Sequence, residues 1–407
     1  MKIGKLIILA LLLTPLDTIL AQCDGRYENE IFVDVDKQII LYSDVFDWSA
    51  TEMGLEMDVY QPIGDTATNR PLIIFAHGGV YIEGDKNSNT MVALCEAFAK
   101  RGYVTASIRY RLTNLQSLLS ANSYNIFSQT VVNSISDMKS AVRYFRKDVV
   151  ENGNTFKINP GLIFVGGYSA GAVTAAHLSV MDEGEVPEEF QSLFDESGGI
   201  EGNSGNPGYS SEVSGAILLA GAINTTNFLD ENDPPIVSAH STDDNTIDYE
   251  CASPLSNLGI PLLDLPVLCG SAKIHDELDN IGVLNDLYTF SFGGHSAPII
   301  NLEGTVIPFI SDFMFNLICN NATNTQYQMA EEFEFWPNPT TGRIFLKLPK
   351  GDYAITLYDQ LGQAVLHENT EAETHSVDIS HLPSGLYFVV SNQMTANGFS
   401  PQKIIKY

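Results

Sequence analysis

From about residue 55 to residue 320, short and nearly continuous apolar runs alternate with amphipathic stretches. PLIIFAHGG (71–79), YVTASIRYRL (103–112), GLIFVGG (161–167), VSGAILLAG (213–221), PPIVSAHS (234–241) and LYTFSFGG (287–294) predict strands buried on both faces. Between them, TMVALCEAFAKRG (90–102), SISDMKSAVRYFRKDVVENG (134–153) and AGAVTAAHLSV (170–180) carry helical periodicity, two of them closing on glycine. TVIPFISDFMFNLIC (305–319) predicts a last helix. This alternation predicts an α/β fold, a doubly wound and mostly parallel sheet with helices on both faces. Two segments break the rhythm. Residues 183–212 are rich in Gly, Ser and acids and read as a surface excursion, and residues 249–280 interrupt the pattern late. Either segment is placed to be a lid or an idle loop. From residue 333 the period drops to two, with Asn, Pro and Gly turns, and predicts a small all-β sandwich of about 75 residues.

The start, MKIGKLIILALLLTPLDTILAQ, has Lys2 and Lys5, an apolar run from Leu6 to Leu13 and a small residue at Ala21. It reads as a secretory leader over 1–21, since eight apolar residues are too few to cross a bilayer. A lipidated Cys23 is the lesser reading, because Gln22 stands where a small residue should precede it. The expected organisation is a leader (1–21), an α/β domain (22–325), a linker (326–332) and the β-sandwich (333–407). The chain has 407 residues, 44% of them hydrophobic, which is ample for a core. Its net charge is −29, from 50 acidic and 21 basic residues. That charge argues against nucleic acid, anionic membrane surfaces and stable membrane insertion. The five cysteines are read in an oxidising compartment. Cys251 with Cys269 is the expected bridge, and Cys23 with Cys95 a second pairing that leaves Cys319 odd. Buried thiols at Cys95 and Cys319 are the equal alternative.

The stretch FVGGYSAGAV sets Ser169 between Gly167 and Gly171, after one predicted strand and before one predicted helix. A serine on so sharp a turn is exposed, and the backbone N–H of Ala170 points at the helix start, where a developing oxyanion is favoured. Serine needs a base to take its proton. In the order serine, acid, histidine, His77 comes too early, His177 lies on the next helix and His240 precedes the acid. His295, in the loop after a strand, is the expected base. His275, in KIHDELD, reads as solvated. PPIVSAHSTDDNTIDY offers Asp243, Asp244 and Asp248 as the acid. Against the spacing His-Gly-Thr-x-Asp-x-x-Val, residues His240 to Ile247 select Asp244, with Asp243 next. FAHGGVYIEGD supplies Gly78 and the N–H groups of Gly79 and Val80 for the other half of an oxyanion hole, with His77 holding the loop. Tyr81 and Tyr168 flank Ser169 as contacts to substrate or as packing.

These motifs resemble the α/β-hydrolase superfamily, and more narrowly bacterial carboxylesterases of the hormone-sensitive-lipase type. HGGVYIEGD is similar to that group's His-Gly-Gly-Gly loop and GYSAG to its nucleophile elbow, with Val80 in place of the third glycine. The resemblance spans about residues 55–320 and implies ester hydrolysis through an acyl-enzyme, with no metal or organic cofactor. Val80 makes the hole less open than three glycines would, which argues against tertiary-alcohol esters. The substrates in view are short-chain acyl esters or acetyl and feruloyl esters of polysaccharide, with lipid or polyester next. A serine peptidase on the same machinery, or a binding protein that keeps only the fold, are the rivals. WPNPTTGRI, LYDQLGQAV, VDISHLPSGLYFV and QKIIKY resemble the C-terminal sorting domain of type IX secretion. That implies a partner in the secretion machinery and export across both membranes of a Gram-negative bacterium, to release or surface attachment. A carbohydrate-binding sandwich is the alternative reading of the tail.

Overall fold

The computed structural model describes residues 23, 25–46, 51–256, 264–320, 334–348, 353–359, 364–370, 374–393 and 402–407. The leader expected at 1–21 and the linker at 326–332 lie outside the described residues. The chain divides into two compact units, residues 1–319 and 320–407.

The first unit is built on one sheet of eight strands: β1 (Val35–Phe46), β2 (Glu52–Pro62), β3 (Arg70–Ala76), β4 (Val104–Ile108), β5 (Ile158–Tyr168), β6 (Ala216–Leu219), β7 (Ile236–Ser241) and β8 (Asn285–Phe290). Their order is β1-β2-β4-β3-β5-β6-β7-β8. β1 and β2 pair antiparallel, and β2 meets β4 antiparallel. All later pairings are parallel. β3 shows why its run reads as unbroken: every residue is buried, with Leu72, Ile74 and Ala76 facing one core and Ile73 and Phe75 the other. Against the first face pack α2 (Ser123–Glu151), α3 (Ala170–Val180) and α4 (Ser271–Ile281); against the second pack α1 (Asn89–Lys100) and α5 (Ile307–Phe315). The doubly wound architecture is the one expected.

Several expectations change in detail. The helix expected from residue 134 begins at Ser123, so α2 carries Phe127 and Val131 into the core. The late interruption ends at residue 270 rather than 280, because Ser271–Ile281 is α4, the crossover between β7 and β8. His275 on α4 is therefore not solvated. It is buried, with Nε2 2.7 Å from Ser238 Oγ and Nδ1 2.6 Å from Asn285 Oδ1. Residues 183–212 are fastened to α2 rather than lying loose. Ser204 reaches Asp137 at 2.6 Å, Arg111 donates to Ser204 at 2.7 Å, and Arg143 donates to Gly205 O at 3.1 Å.

The cysteines also pair differently. Cys251–Cys269 is bridged as expected, but Cys23 joins Cys319, not Cys95. Cys95 is a free thiol, fully buried on α1 among Phe98, Ile73 and Phe75, and burial pushes its pKa up.

The second unit holds two antiparallel sheets. One contains β9 (Glu334–Trp336), β10 (Arg343–Lys347) and β13 (Thr374–Asp378). The other contains β11 (Tyr353–Asp359), β12 (Ala364–Thr370), β14 (Gly385–Gln393) and β15 (Gln402–Lys406). Alternate residues such as Ile344, Leu346, Ile355, Leu357, Val377 and Val389 meet in its core.

Candidate active site

Ser169 sits between β5 and α3 with φ +55°, a left-handed angle that a non-glycine residue adopts only where the surroundings enforce it. The enforcement comes from close backbone packing. A Cβ on Gly167 would lie 2.5 Å from the Gly171 carbonyl carbon, and one on Gly171 would strike the carbonyl of Ala76 at the end of β3. Both flanking positions therefore require glycine. Ser169 is buried rather than exposed as the turn alone predicts, because His295 and the Gly78 loop close against it.

His295 lies in the turn after β8. Gly293 (φ +113°) and Gly294 (φ +60°) let that turn fold back toward Ser169. Ser169 Oγ is 2.8 Å from His295 Nε2, and His295 Nδ1 is 2.7 Å from Asp244 Oδ2. A carboxylate can only accept, so Nδ1 carries the proton and Nε2 is left as acceptor for the serine hydroxyl. The turn is pinned by Asp243, the other acid the sequence offers. Its carboxylate accepts from Gly294 N–H at 2.7 Å, Gly293 N–H at 3.3 Å and Ser241 Oγ at 2.6 Å. The Ser241 hydroxyl and then the Gly294 N–H hold its pKa below the ordinary value. Asp243 thus positions the histidine loop while Asp244 faces the ring.

Asp244 is buried, and its surroundings are the most elaborate in the site. Oδ1 accepts from the N–H groups of Thr246 and Ile247 at 2.8 and 3.0 Å. Oδ2 accepts from His295 and also from His240 Nε2 at 3.2 Å. Burial works against the charge, but bonds from His240, His295 and Thr246, with the nearby His295 ring, hold the pKa below the ordinary value. The sequence reading passed over His240 as a base, and its placement is consistent with that. It is fully buried, with Nδ1 2.9 Å from Ser271 Oγ on α4, and it backs the carboxylate from the far side. The motif alignment contained the signal, because His240 and Asp244 are its first and fifth positions.

The early glycine loop comes beside the elbow. His77 is buried, with Nδ1 2.8 Å from Gly78 O, its ring stacked 4.4 Å from Tyr110. Burial lowers its pKa, which suits a neutral donor that holds the loop. Gly78 leaves no spare room: an added Cβ would lie 3.1 Å from Ser169 Cβ. Gly79 has φ +121°, and an added Cβ there would meet the carbonyl of Glu83. Val80 (φ +53°) and Tyr81 (φ +61°) hold glycine-like angles too, so the chain keeps the geometry of a glycine loop without the third glycine. Tyr81 is buried, and its hydroxyl is committed to Ala170 O at 2.8 Å and Thr174 Oγ1 at 3.1 Å. Only its ring is left for a substrate, so its main work is to tie the loop to the start of α3. Tyr168 donates to His295 O at 3.3 Å, and its ring lies 5.2 Å from the imidazole. Beside Ser169 opens a narrow pocket of about 10 Å³, lined by Val80, Phe127, Val173, Ile247, Leu255 and Leu268. Leu255 and Leu268 come from the Cys251–Cys269 region, so that interruption walls the pocket, whereas no residue of 183–212 lines it.

Comparison with known proteins gives the class. Residues 57–200 match the BD-FAE family model, an esterase-like α/β hydrolase, and residues 334–407 match the secretion system C-terminal sorting domain. No curated protein matches the chain. Among solved structures, a thermophilic esterase from Thermogutta terrifontis with butyrate bound is 20% identical, with a TM-score of 0.47 over 68% of this chain and 92% of that one. The Thermogutta terrifontis esterase 2 phosphorylated by paraoxon is 21% identical, with a TM-score of 0.49 over 69% of this chain and 94% of that one. The match over residues 57–200 is thus to an esterase-like hydrolase family, and the sorting domain at 334–407 indicates export by type IX secretion, to the exterior or the cell surface.

Proposed function

We propose that the protein is a secreted serine carboxylesterase in which Ser169, His295 and Asp244 form the triad. The observation that carries this reading is the unbroken relay from Ser169 Oγ to His295 at 2.8 Å and from His295 to Asp244 at 2.7 Å. Ser169 Oγ attacks the ester carbonyl carbon as its proton passes to His295 Nε2. The imidazolium that forms faces the Asp244 carboxylate. The N–H of Ala170, with that of Gly79 or Val80, receives the oxyanion, and the first N–H groups of a helix have no partner within the helix, which suits them to this task. His295 then gives its proton to the leaving alkoxide oxygen as the C–O bond breaks. Water, deprotonated by His295, releases the acid from the acyl-serine. The lining of the pocket by Val80, Val173, Ile247 and Leu255 favours a small apolar acyl group, such as a short-chain or polysaccharide-linked acyl ester.

The test is hydrolysis of p-nitrophenyl esters from acetate to palmitate, with methyl ferulate and acetylated xylan, by the full-length protein and its Ser169→Ala variant. Short acyl esters should be turned over, and the variant should lose roughly 10⁴–10⁶-fold in kcat. A folded wild-type protein that cleaves no ester, or a variant that keeps its activity, overturns the reading.

A further inference from the structure

The pocket beside Ser169 has a neighbour. Across Phe127 and Leu268 lies a second, apolar cleft of about 40 Å³, lined by Val131, Ile135, Met181, Phe190 and Phe228. Phe127 and Leu268 line both spaces. One helix floors the pair. Val173 lines the first pocket, while His177 and Met181, one and two turns further along α3, line the second. From Ser169 to Met181 that floor runs about 18 Å at 1.5 Å per residue. α2 supplies the opposite wall through Phe127, Val131 and Ile135.

The second cleft is suited to hydrocarbon. Its one imidazole, His177, has Nδ1 2.8 Å from Val173 O and Nε2 accepting from Asn224 N–H at 3.0 Å, so it offers no free polar group. Burial lowers its pKa to about 4, which keeps it neutral. The partition is also firm. The Phe127 ring packs edge-on to Tyr81 at 5.5 Å, and Tyr81 is itself tied to Ala170 O. Leu268 lies on a short strand paired with Cys251–Ala252, beside the Cys251–Cys269 bridge.

We propose that Phe127 and Leu268 set the acyl-length limit of this enzyme, closing the pocket at Ser169 against an apolar cleft in line with it. The proposal rests on the esterase reading above. An acyl chain lying along α3 meets this wall after its first carbons, and truncating the wall joins the space the side chain vacates to the cleft beyond, so that a longer chain enters.

The experiment measures kcat/KM for p-nitrophenyl acetate, butyrate, octanoate and decanoate with the full-length protein. Wild type should favour acetate or butyrate. Phe127→Ala should raise the octanoate-to-acetate ratio by roughly tenfold or more, the scale of admitting extra methylenes to an apolar pocket. Phe127→Leu and Leu268→Ala should shift it the same way by less, and they serve if the larger truncation does not fold. Phe127→Ala/Val131→Phe, which refills that space, should return the ratio toward wild type; a loosened but unthreaded site would not respond to that filling. A wild type that already prefers octanoate overturns the proposal and leaves the esterase intact. So do folded, acetate-active wall variants whose ratio stays unchanged. Loss of all ester hydrolysis in folded wild type overturns the esterase reading, and this proposal with it.

Discussion

The carboxylate of Asp244 accepts four hydrogen bonds, two on each oxygen, and this arrangement links activity to acid stability. Its folded pKa lies below the ordinary 3.8 because bonds from two histidines and two backbone amides outweigh the burial that opposes charge. For a depressed carboxyl, the stabilisation is fully present above the unfolded pKa and is lost as pH falls through the lower folded value. Asp244→Asn cannot titrate. The stability gap between wild type and Asp244→Asn, measured by urea unfolding, should therefore be constant from pH 7 to about pH 5 and shrink as pH drops below 3.8. A gap that widens in acid contradicts the assigned direction. In the esterase assay at neutral pH the same variant should lose roughly 10³–10⁴-fold in kcat, because the imidazole no longer has a carboxylate to fix its tautomer. Motif spacing selects Asp244, and the structure sets its carboxylate 2.7 Å from His295 Nδ1. The division of labour with Asp243 was not legible in the spacing, because neighbouring aspartates look alike until the Gly293–Gly294 turn is seen folding onto one of them.

At the scale of elements, legibility followed the strength of the periodic signal. The cores of β3, β5 and α3 are nearly continuous apolar runs, and AGAVTAAHLSV is α3 residue for residue. The first turns of α2 were missed because SYNIFSQTVVN mixes Ser, Asn and Thr among its apolar residues, and only packing of Phe127 and Val131 against α3 makes it helical. α4 was read as insertion for a related reason. One buried position on its inner face is His275, whose two bonds replace the apolar contact a pattern search expects. The elbow shows how elements position the site. β3 ends and α3 begins so close together that Gly171 fits against the Ala76 carbonyl with no room for a methyl. Backbone cannot yield as a side chain does, so Gly171→Ala must push α3 from the sheet. It should cost about 1–3 kcal/mol in denaturant unfolding and at least tenfold in esterase kcat, through a displaced Ser169 Oγ. Wild-type activity and stability in Gly171→Ala contradict that packing.

For the whole molecule, the expected pairing of Cys23 with Cys95 failed because spacing says nothing about depth. Cys95 faces the sheet, whereas Cys319 ends the last helix of the α/β unit and meets the chain's early residues. The resulting bridge spans 296 residues and encloses that unit. Export by type IX secretion takes the chain through an oxidising compartment, where such a bridge forms and persists. A cross-link over so long a loop acts mainly on the unfolded chain, and the chain-entropy account gives about 5–6 kcal/mol. Cys23→Ser/Cys319→Ser should therefore fold with Ser169, His295 and Asp244 still in place but melt roughly 5–15 °C lower. Reductant should lower the wild-type Tm to a similar degree and move the double variant less, since only the short Cys251–Cys269 loop, 18 residues apart, remains to open. Cys95 does not confuse the measurement, because its thiol is wholly buried and its raised pKa disfavours the thiolate needed for exchange. Equal melting temperatures for wild type and double variant under oxidising conditions would show that the α/β unit holds its ends without the bridge.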